Sequence, residues 1–238
     1  EVTVEYNETA EVAFENIEKT GEIKVTKTTV GNINVSGITF NLRGTSDSGR
    51  DIDIPAVTDE NGVAIFSEIP IGTYTIYEDE KTVPTAYLVA DPQNVTVTYA
   101  ETKEVPIENK EKTGSITVHK TTEGQKNIEG IKFYLRGTSD SGRAIDIPAT
   151  TDKDGIAKFD GVPIGTYMVI EDEETVPYGY LVADEKEVKV EYAQTIDETI
   201  LNNEQTGTVK VHKKTADMTN VEGIRFILSG RYWQRDTH

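Results

Sequence analysis

The chain copies itself at a fixed distance, and that distance limits what it can fold into. Gly44-Thr45-Ser46-Asp47-Ser48-Gly49-Arg50 returns as Gly137-Thr138-Ser139-Asp140-Ser141-Gly142-Arg143. Pro70–Tyr74 returns as Pro163–Tyr167, and Tyr87–Asp91 as Tyr180–Asp184, each 93 residues on with no insertion or deletion. Solenoid units are roughly 20–50 residues long and cannot fold alone, so a period of 93 is a whole domain. The unit also runs off both ends: Glu1–Gly21 matches Asn94–Gly114 and Glu187–Gly207, and Gly207–Gly230 matches Gly114–Gly137. The expected organisation is a window on a tandem array. Residues 1–20 are the C-terminal strands of a preceding repeat, 21–112 and 113–205 are complete repeats, and 206–238 is the N-terminal fragment of another. Chains built this way usually hold something at a distance.

Composition narrows the function classes. Asp and Glu number 42 against 24 Lys and Arg, a formal charge of −18. Such a surface repels phosphate backbones and anionic lipid, which argues against nucleic-acid partners and membrane-surface roles. No run approaches the roughly 20 apolar residues of a membrane span, so no membrane insertion is expected in this segment. Cysteine is absent, and domains this small, with a modest buried fraction, must find another source of robustness.

Short alternating segments separated by turn residues argue for an all-β fold. In the first repeat these are Glu22–Thr28, Ile38–Leu42, Ile52–Ala56, Val63–Phe66, Tyr74–Glu78, Tyr87–Val89, Val95–Tyr99 and Glu104–Asn109. The turns Thr58–Gly62 and Thr151–Gly155 end in Asn-Gly and Asp-Gly, hairpin signals because both residues tolerate positive φ. About seven strands per repeat and no amphipathic helix suggest tandem Greek-key, reverse immunoglobulin-like β-sandwiches. The junctions, Lys110–Thr113 and Asn203–Thr206, hold only a few polar residues, which favours stiff coupling of neighbouring repeats.

Three polar residue types fall where the alternation predicts apolar ones. Residues i, i+2 and i+4 of a strand share a face. Ile23 and Val25 are followed on that face by Lys27, Tyr74 and Ile76 by Glu78, and Val105 and Ile107 by Asn109. The second repeat does the same with Lys120 after Ile116 and Val118, Glu171 after Tyr167 and Val169, and Asn202 after Ile200. The flanking segments keep the pattern in Val12, Phe14, Asn16 and in Val209, Val211, Lys213. A lysine, a glutamate and an asparagine turned toward one core are costly unless they pair or react. The competing reading is that each lies one residue past the buried part of its strand and is solvated.

These residues, with Gly72-Thr73-Tyr74-Thr75-Ile76-Tyr77-Glu78 and Gly165-Thr166-Tyr167-Met168-Val169-Ile170-Glu171, carry a resemblance to the Cna-B or SpaA-like (prealbumin-like) repeat domains of Gram-positive cell-surface adhesins and pilins. Val83-Pro84 and Tyr87 belong to the same pattern. Pro177-Tyr178-Gly179-Tyr180 matches the family's Pro-x-Gly-Tyr element, whereas the first copy has Thr85-Ala86 at its middle. The resemblance implies isopeptide bonds Lys27–Asn109 and Lys120–Asn202, promoted by Glu78 and Glu171. Asn16 and Lys213 then lack partners in this segment. It also implies an extracellular, cell-wall-anchored stalk whose partners are neighbouring repeats of its own chain. The runner-up is an adhesin module recognising a host matrix protein or glycan through the Gly44–Arg50 and Gly137–Arg143 loops.

Other signals are weak. Asp51, Asp53, Asp59 and Asp152 lack EF-hand spacing, so no metal is expected. His119 and His212 alternate outward beside the lysines. No cofactor motif and no recurrent Ser/His/Asp set is present, so an enzyme acting on an external substrate is not expected. Gly207–His238 is expected to be poorly ordered or to borrow a neighbour's edge, because an isolated hairpin is marginal in water.

Overall fold

In Thr20–Thr29, every second residue from Ile23 is buried, and this strand lies at the middle of a sheet. The computed structural model describes residues 1–124, 128–216 and 222–230, with all their side chains except that of Asn32. The first repeat is built from β1 (Thr20–Thr29), β2 (Thr39–Ser46), β3 (Asp51–Val57), β4 (Val63–Pro70), β5 (Gly72–Glu78), β6 (Gln93–Val97) and β7 (Thr102–Asn109). The second follows with β8 (Thr113–Thr122), β9 (Lys132–Ser139), β10 (Ala144–Thr150), β11 (Ile156–Pro163), β12 (Gly165–Glu171), β13 (Lys186–Val190) and β14 (Thr195–Asn202). Each is a two-sheet sandwich, with orders β4-β1-β7 and β3-β2-β5-β6 in the first and β11-β8-β14 and β10-β9-β12-β13 in the second.

The inner faces meet over one apolar core per repeat. Ile23, Phe40, Leu42, Phe66, Tyr74 and Ile76 lead the first, and Ile116, Phe133, Leu135, Phe159, Tyr167 and Val169 the second. Tyr74 and Tyr167 bury their rings and donate their hydroxyls to the Pro70 and Pro163 carbonyls, 2.8 and 2.7 Å away. Burial, with the charges of Asp140 and Glu111 nearby, pushes the Tyr167 pKa up to about 12.

The outer strands of the smaller sheet are unlike each other. β4 runs antiparallel to β1, whereas β7 runs parallel to it, pairing Lys27 with Ile107 and Thr29 with Asn109. β14 pairs with β8 in the same way, Lys120 with Ile200 and Thr122 with Asn202. The first and last strands of each repeat are thus direct neighbours, and their inward residues end at the same edge of the core.

The β3–β4 turn sets the end of β1. Asp59 accepts the backbone amides of Asn61 and Val63 through its side chain, which holds its carboxyl below the usual range. Gly62 sits at φ +75 and donates nothing to β1, but its carbonyl accepts from Lys27 N at 2.7 Å. A Cβ there would lie 2.6 Å from the Lys27 carbonyl, so only glycine allows this approach. Asp152 and Gly155 repeat the arrangement at Lys120. The acidic turn residues thus serve their own backbone.

One expected strand is absent. Tyr87–Val89 forms no strand: Tyr87 N closes a turn onto Pro84 O, and Tyr87 makes a single bridge to Glu111. Its ring is buried with Val83 and Ala86 in a small satellite cluster. An apolar, aromatic run has a strand's composition, but burial alone does not require a ladder. Residues 1–19 and the described residues beyond 204 carry no strand. Trp233 and the rest of 231–238 lie outside the described residues.

Candidate functional site

The period-2 alternation of β1, β5 and β7 delivers Lys27, Glu78 and Asn109 to one end of the first core, and β8, β12 and β14 deliver Lys120, Glu171 and Asn202 to the same end of the second. Lysine and asparagine come from adjacent parallel strands of one sheet, and the glutamate comes from the facing sheet. All six residues leave the solvated reading behind. The Lys27 and Glu78 side chains are 0% and 1% exposed, as are those of Lys120 and Glu171, while Asn109 and Asn202 are buried.

The two oxygens of each glutamate face different partners. Glu78 Oε1 lies 3.9 Å from Lys27 Nζ, and Glu171 Oε1 lies 3.7 Å from Lys120 Nζ. Oε2 accepts the asparagine Nδ2 at 2.6 Å in both repeats. The same nitrogen donates to Leu88 O at 2.8 Å, or to Leu181 O at 2.7 Å. A backbone carbonyl can only accept, so the amide NH2, not its oxygen, is the group turned toward the glutamate. Backbone amides of Ala90 and Ala183 donate to Oε2 at 2.7 and 2.9 Å and hold the carboxyl in place. These carbonyls and amides had no sequence signal, because backbone groups are the same in every residue.

Several atoms remain unsatisfied. Glu78 Oε1, Asn109 Oδ1, Glu171 Oε1 and Asn202 Oδ1 are buried with no hydrogen-bond partner among the described residues. Orphaned buried acceptors cost roughly 1–3 kcal/mol each, so clustering them at one site in both repeats points to a chemical use. Burial pushes the Lys27 amine below its ordinary 10.5, against the upward pull of Glu78 and Glu108. Lys120 is lowered for the same reason, opposed by Glu171. Desolvation favours the neutral amine, which is the nucleophilic form.

Asn16 and Lys213 are brought to no such cluster. Both are exposed, and Lys213 Nζ donates to the neighbouring Lys214 carbonyl. His119 is partly exposed and faces Asp197 at 3.0 Å, outside the core.

The lowered lysine values give a pH-dependent expectation for a protein that cannot cross-link. In an Asn109→Ala, Asn202→Ala variant, folding buries amines whose native pKa lies below the 10.5 of the unfolded chain. Between those two values the unfolded chain binds more protons, so stability should rise with pH and flatten near 10.5. An amide nitrogen does not titrate, so a wild-type protein cross-linked as the resemblance implies should lack this rise. Urea midpoints between pH 7 and 10, compared between the two proteins, measure the difference. Tyrosine contributions are common to both and cancel. Equal slopes would count against cross-linked lysines in the wild type.

Two tandem β-sandwiches, each enclosing an amine, an acid and a carboxamide between its first, fifth and last strands, define a class of repeat domain. The chain belongs to the SpaA family of prealbumin-like fold domains, whose model matches residues 21–111 and 114–205. No curated protein matches it. Among solved structures, the Bacillus anthracis TIE protein is similar at 20% identity and a TM-score of 0.58, over 78% of this chain and 34% of that one. This chain therefore spans little more than a third of that protein's length. GBS52, the minor pilin of Streptococcus agalactiae, matches at 18% identity and a TM-score of 0.38, over 82% of this chain and all of that one. Shaft pilin SpaA of Lactobacillus rhamnosus GG matches at 18% and 0.34, over 80% of this chain and all of that one. The likeness to the TIE protein is one of fold.

Proposed function

We propose that this chain is a structural stalk segment of an extracellular, cell-wall-anchored surface protein of adhesin or pilus type, each repeat closed by its own Lys–Asn isopeptide bond. The observation that carries the reading is the bridging glutamate, which addresses the lysine amine with one oxygen and the asparagine amide nitrogen with the other in both repeats.

The chemistry balances without an external reactant. The lysine gives a proton to the glutamate and attacks the asparagine Cγ as a neutral amine. The new C–N bond forms as the Cγ–Nδ2 bond breaks. The glutamate carries the surplus amine proton to Nδ2, which departs as ammonia and then takes up the remaining proton as ammonium. The carboxyl ends as it began, having served as general base and general acid. Proximity in the folded core replaces substrate binding. Each repeat acts once, on itself, so this is not an enzyme with an external substrate.

Closing the loop between Lys27 and Asn109, 82 positions apart, contributes about 4–5 kcal/mol by analogy with a disulfide. Under tension the effect is larger. Force entering along β1 crosses at Lys27 to Asn109 and leaves toward the next repeat, so β2–β6 carry none of it. Each closed loop hides roughly 270–295 Å of contour length. Single-molecule stretching of the two-repeat chain should release neither loop. Asn109→Ala should add one step of that length, and Asn202→Ala another. Loop-length steps in the wild type would overturn the stalk mechanism.

A further inference from the structure

The Gly137–Arg143 loop, nearly solvent-free at its serines, lies against the junction rather than in open solvent. The linker Lys110–Lys112 hydrogen-bonds to both repeats. On the first-repeat side, Leu88 N donates to Lys110 O and Lys112 N to Ala86 O, at 2.9 and 2.8 Å. On the second-repeat side, Ile164 N donates to Lys112 O at 2.9 Å. Between them, Glu111 turns its buried carboxylate into the loop. Ser141 Oγ donates to its Oε1, and Arg143 Nη2 donates to its Oε2 at 2.8 Å. The loop reaches the first repeat as well, where Asn34 Nδ2 donates to Ser141 O at 3.1 Å. A Cβ on Gly142 would lie 3.8 Å from Ile33 Cδ1.

The first repeat holds half of the same arrangement. Glu18 accepts from Ser48 Oγ and from Arg50 Nη1, the latter at 2.8 Å, and Lys19 O accepts from Ile71 N. The Glu18 side chain is 31% exposed, whereas that of Glu111 is 5% exposed, and Ser48 is exposed where Ser141 is buried. The extra burial comes with the loop of the first repeat that carries Ile33 and Asn34.

We propose that the Ser-Gly-Arg loop, together with the glutamate that stands just before each repeat, is a docking surface for the preceding repeat of the same kind, with Glu111 as the latch. The occupant of the Gly44–Arg50 surface is then the loop of another such repeat that corresponds to Val30–Ser36. Domains joined in one chain move relative to each other unless a well-formed interface prevents it. An Arg–carboxylate pair, partly desolvated and oriented by a serine, supplies direction as well as attraction. The loop identity between copies is explained by a shared neighbour rather than a foreign ligand. This inference deepens the stalk reading but is independent of the cross-link, which intact mass tests separately.

The chain contains no cysteine, so spin labels can be placed at Glu60→Cys and Lys153→Cys, one on an exposed turn of each repeat. The wild-type label distance should be narrowly distributed. Arg143→Ala and Glu111→Ala should each widen it about twofold or more, as a released inter-domain contact would. Arg50→Ala, which touches only the first repeat's copy, should leave it unchanged. Asn34→Ala should widen it too, and decides the matter if the second-repeat variants fail to fold by circular dichroism. An unchanged width in a folded Arg143→Ala or Glu111→Ala protein, or equal widening in Arg50→Ala, would overturn the proposal.

Discussion

The intact protein should weigh less than its sequence by ~34 Da, because each of two bonds expels one ammonia of ~17 Da. Proteolysis should return Lys27 joined to Asn109 and Lys120 joined to Asn202, not in ordinary linear peptides. The two sites have the same burial, the same glutamate contacts and matching orphaned oxygens, so the deficit should be complete rather than halved. Asn109→Ala and Asn202→Ala should each remove one increment, and the double variant both. A full sequence mass, with all four residues in linear peptides, would show the sites to be structural pairs only.

Glu78→Gln should abolish or greatly slow the bond in the first repeat alone, and Glu171→Gln in the second alone. A glutamine carbonyl can still accept from the asparagine amide and from the backbone amide of Ala90 or Ala183, so the sandwich should fold. It cannot take a proton from the lysine or return one to the departing nitrogen. The altered repeat should therefore keep its ammonia and lose the roughly 4–5 kcal/mol assigned to loop closure, with a lower denaturation midpoint and faster proteolysis. The other repeat serves as the internal control. Complete cross-linking in both Gln variants would mean that proximity suffices and the carboxyl has no role in the reaction.

Much of the fold can be read directly from the residues. A 93-residue period, alternation within each short segment and Asn-Gly or Asp-Gly turns lead to tandem β-sandwiches, since these are local features that the backbone must obey wherever the strands lie. The same alternation places Lys27, Glu78 and Asn109 on inward faces, because side-chain direction in a strand depends only on position parity. It could not show which strands are neighbours. That β1 and β7 run side by side in parallel, with Glu78 crossing from the opposite sheet, depends on pairings between residues some 80 positions apart, which no local pattern encodes. Tyr87–Val89 shows the limit from the other direction. Its apolar run has the composition of a strand, but its backbone is taken up by a turn and by the linker at Glu111. The Ser-Gly-Arg loops show it again. Their identity is a local feature compatible with ligand recognition, yet the groups that engage Ser141 and Arg143 come from Glu111 and Asn34, some 30 and over 100 positions upstream. A residue's face is a local property of its strand. Its partner is a property of the packed chain.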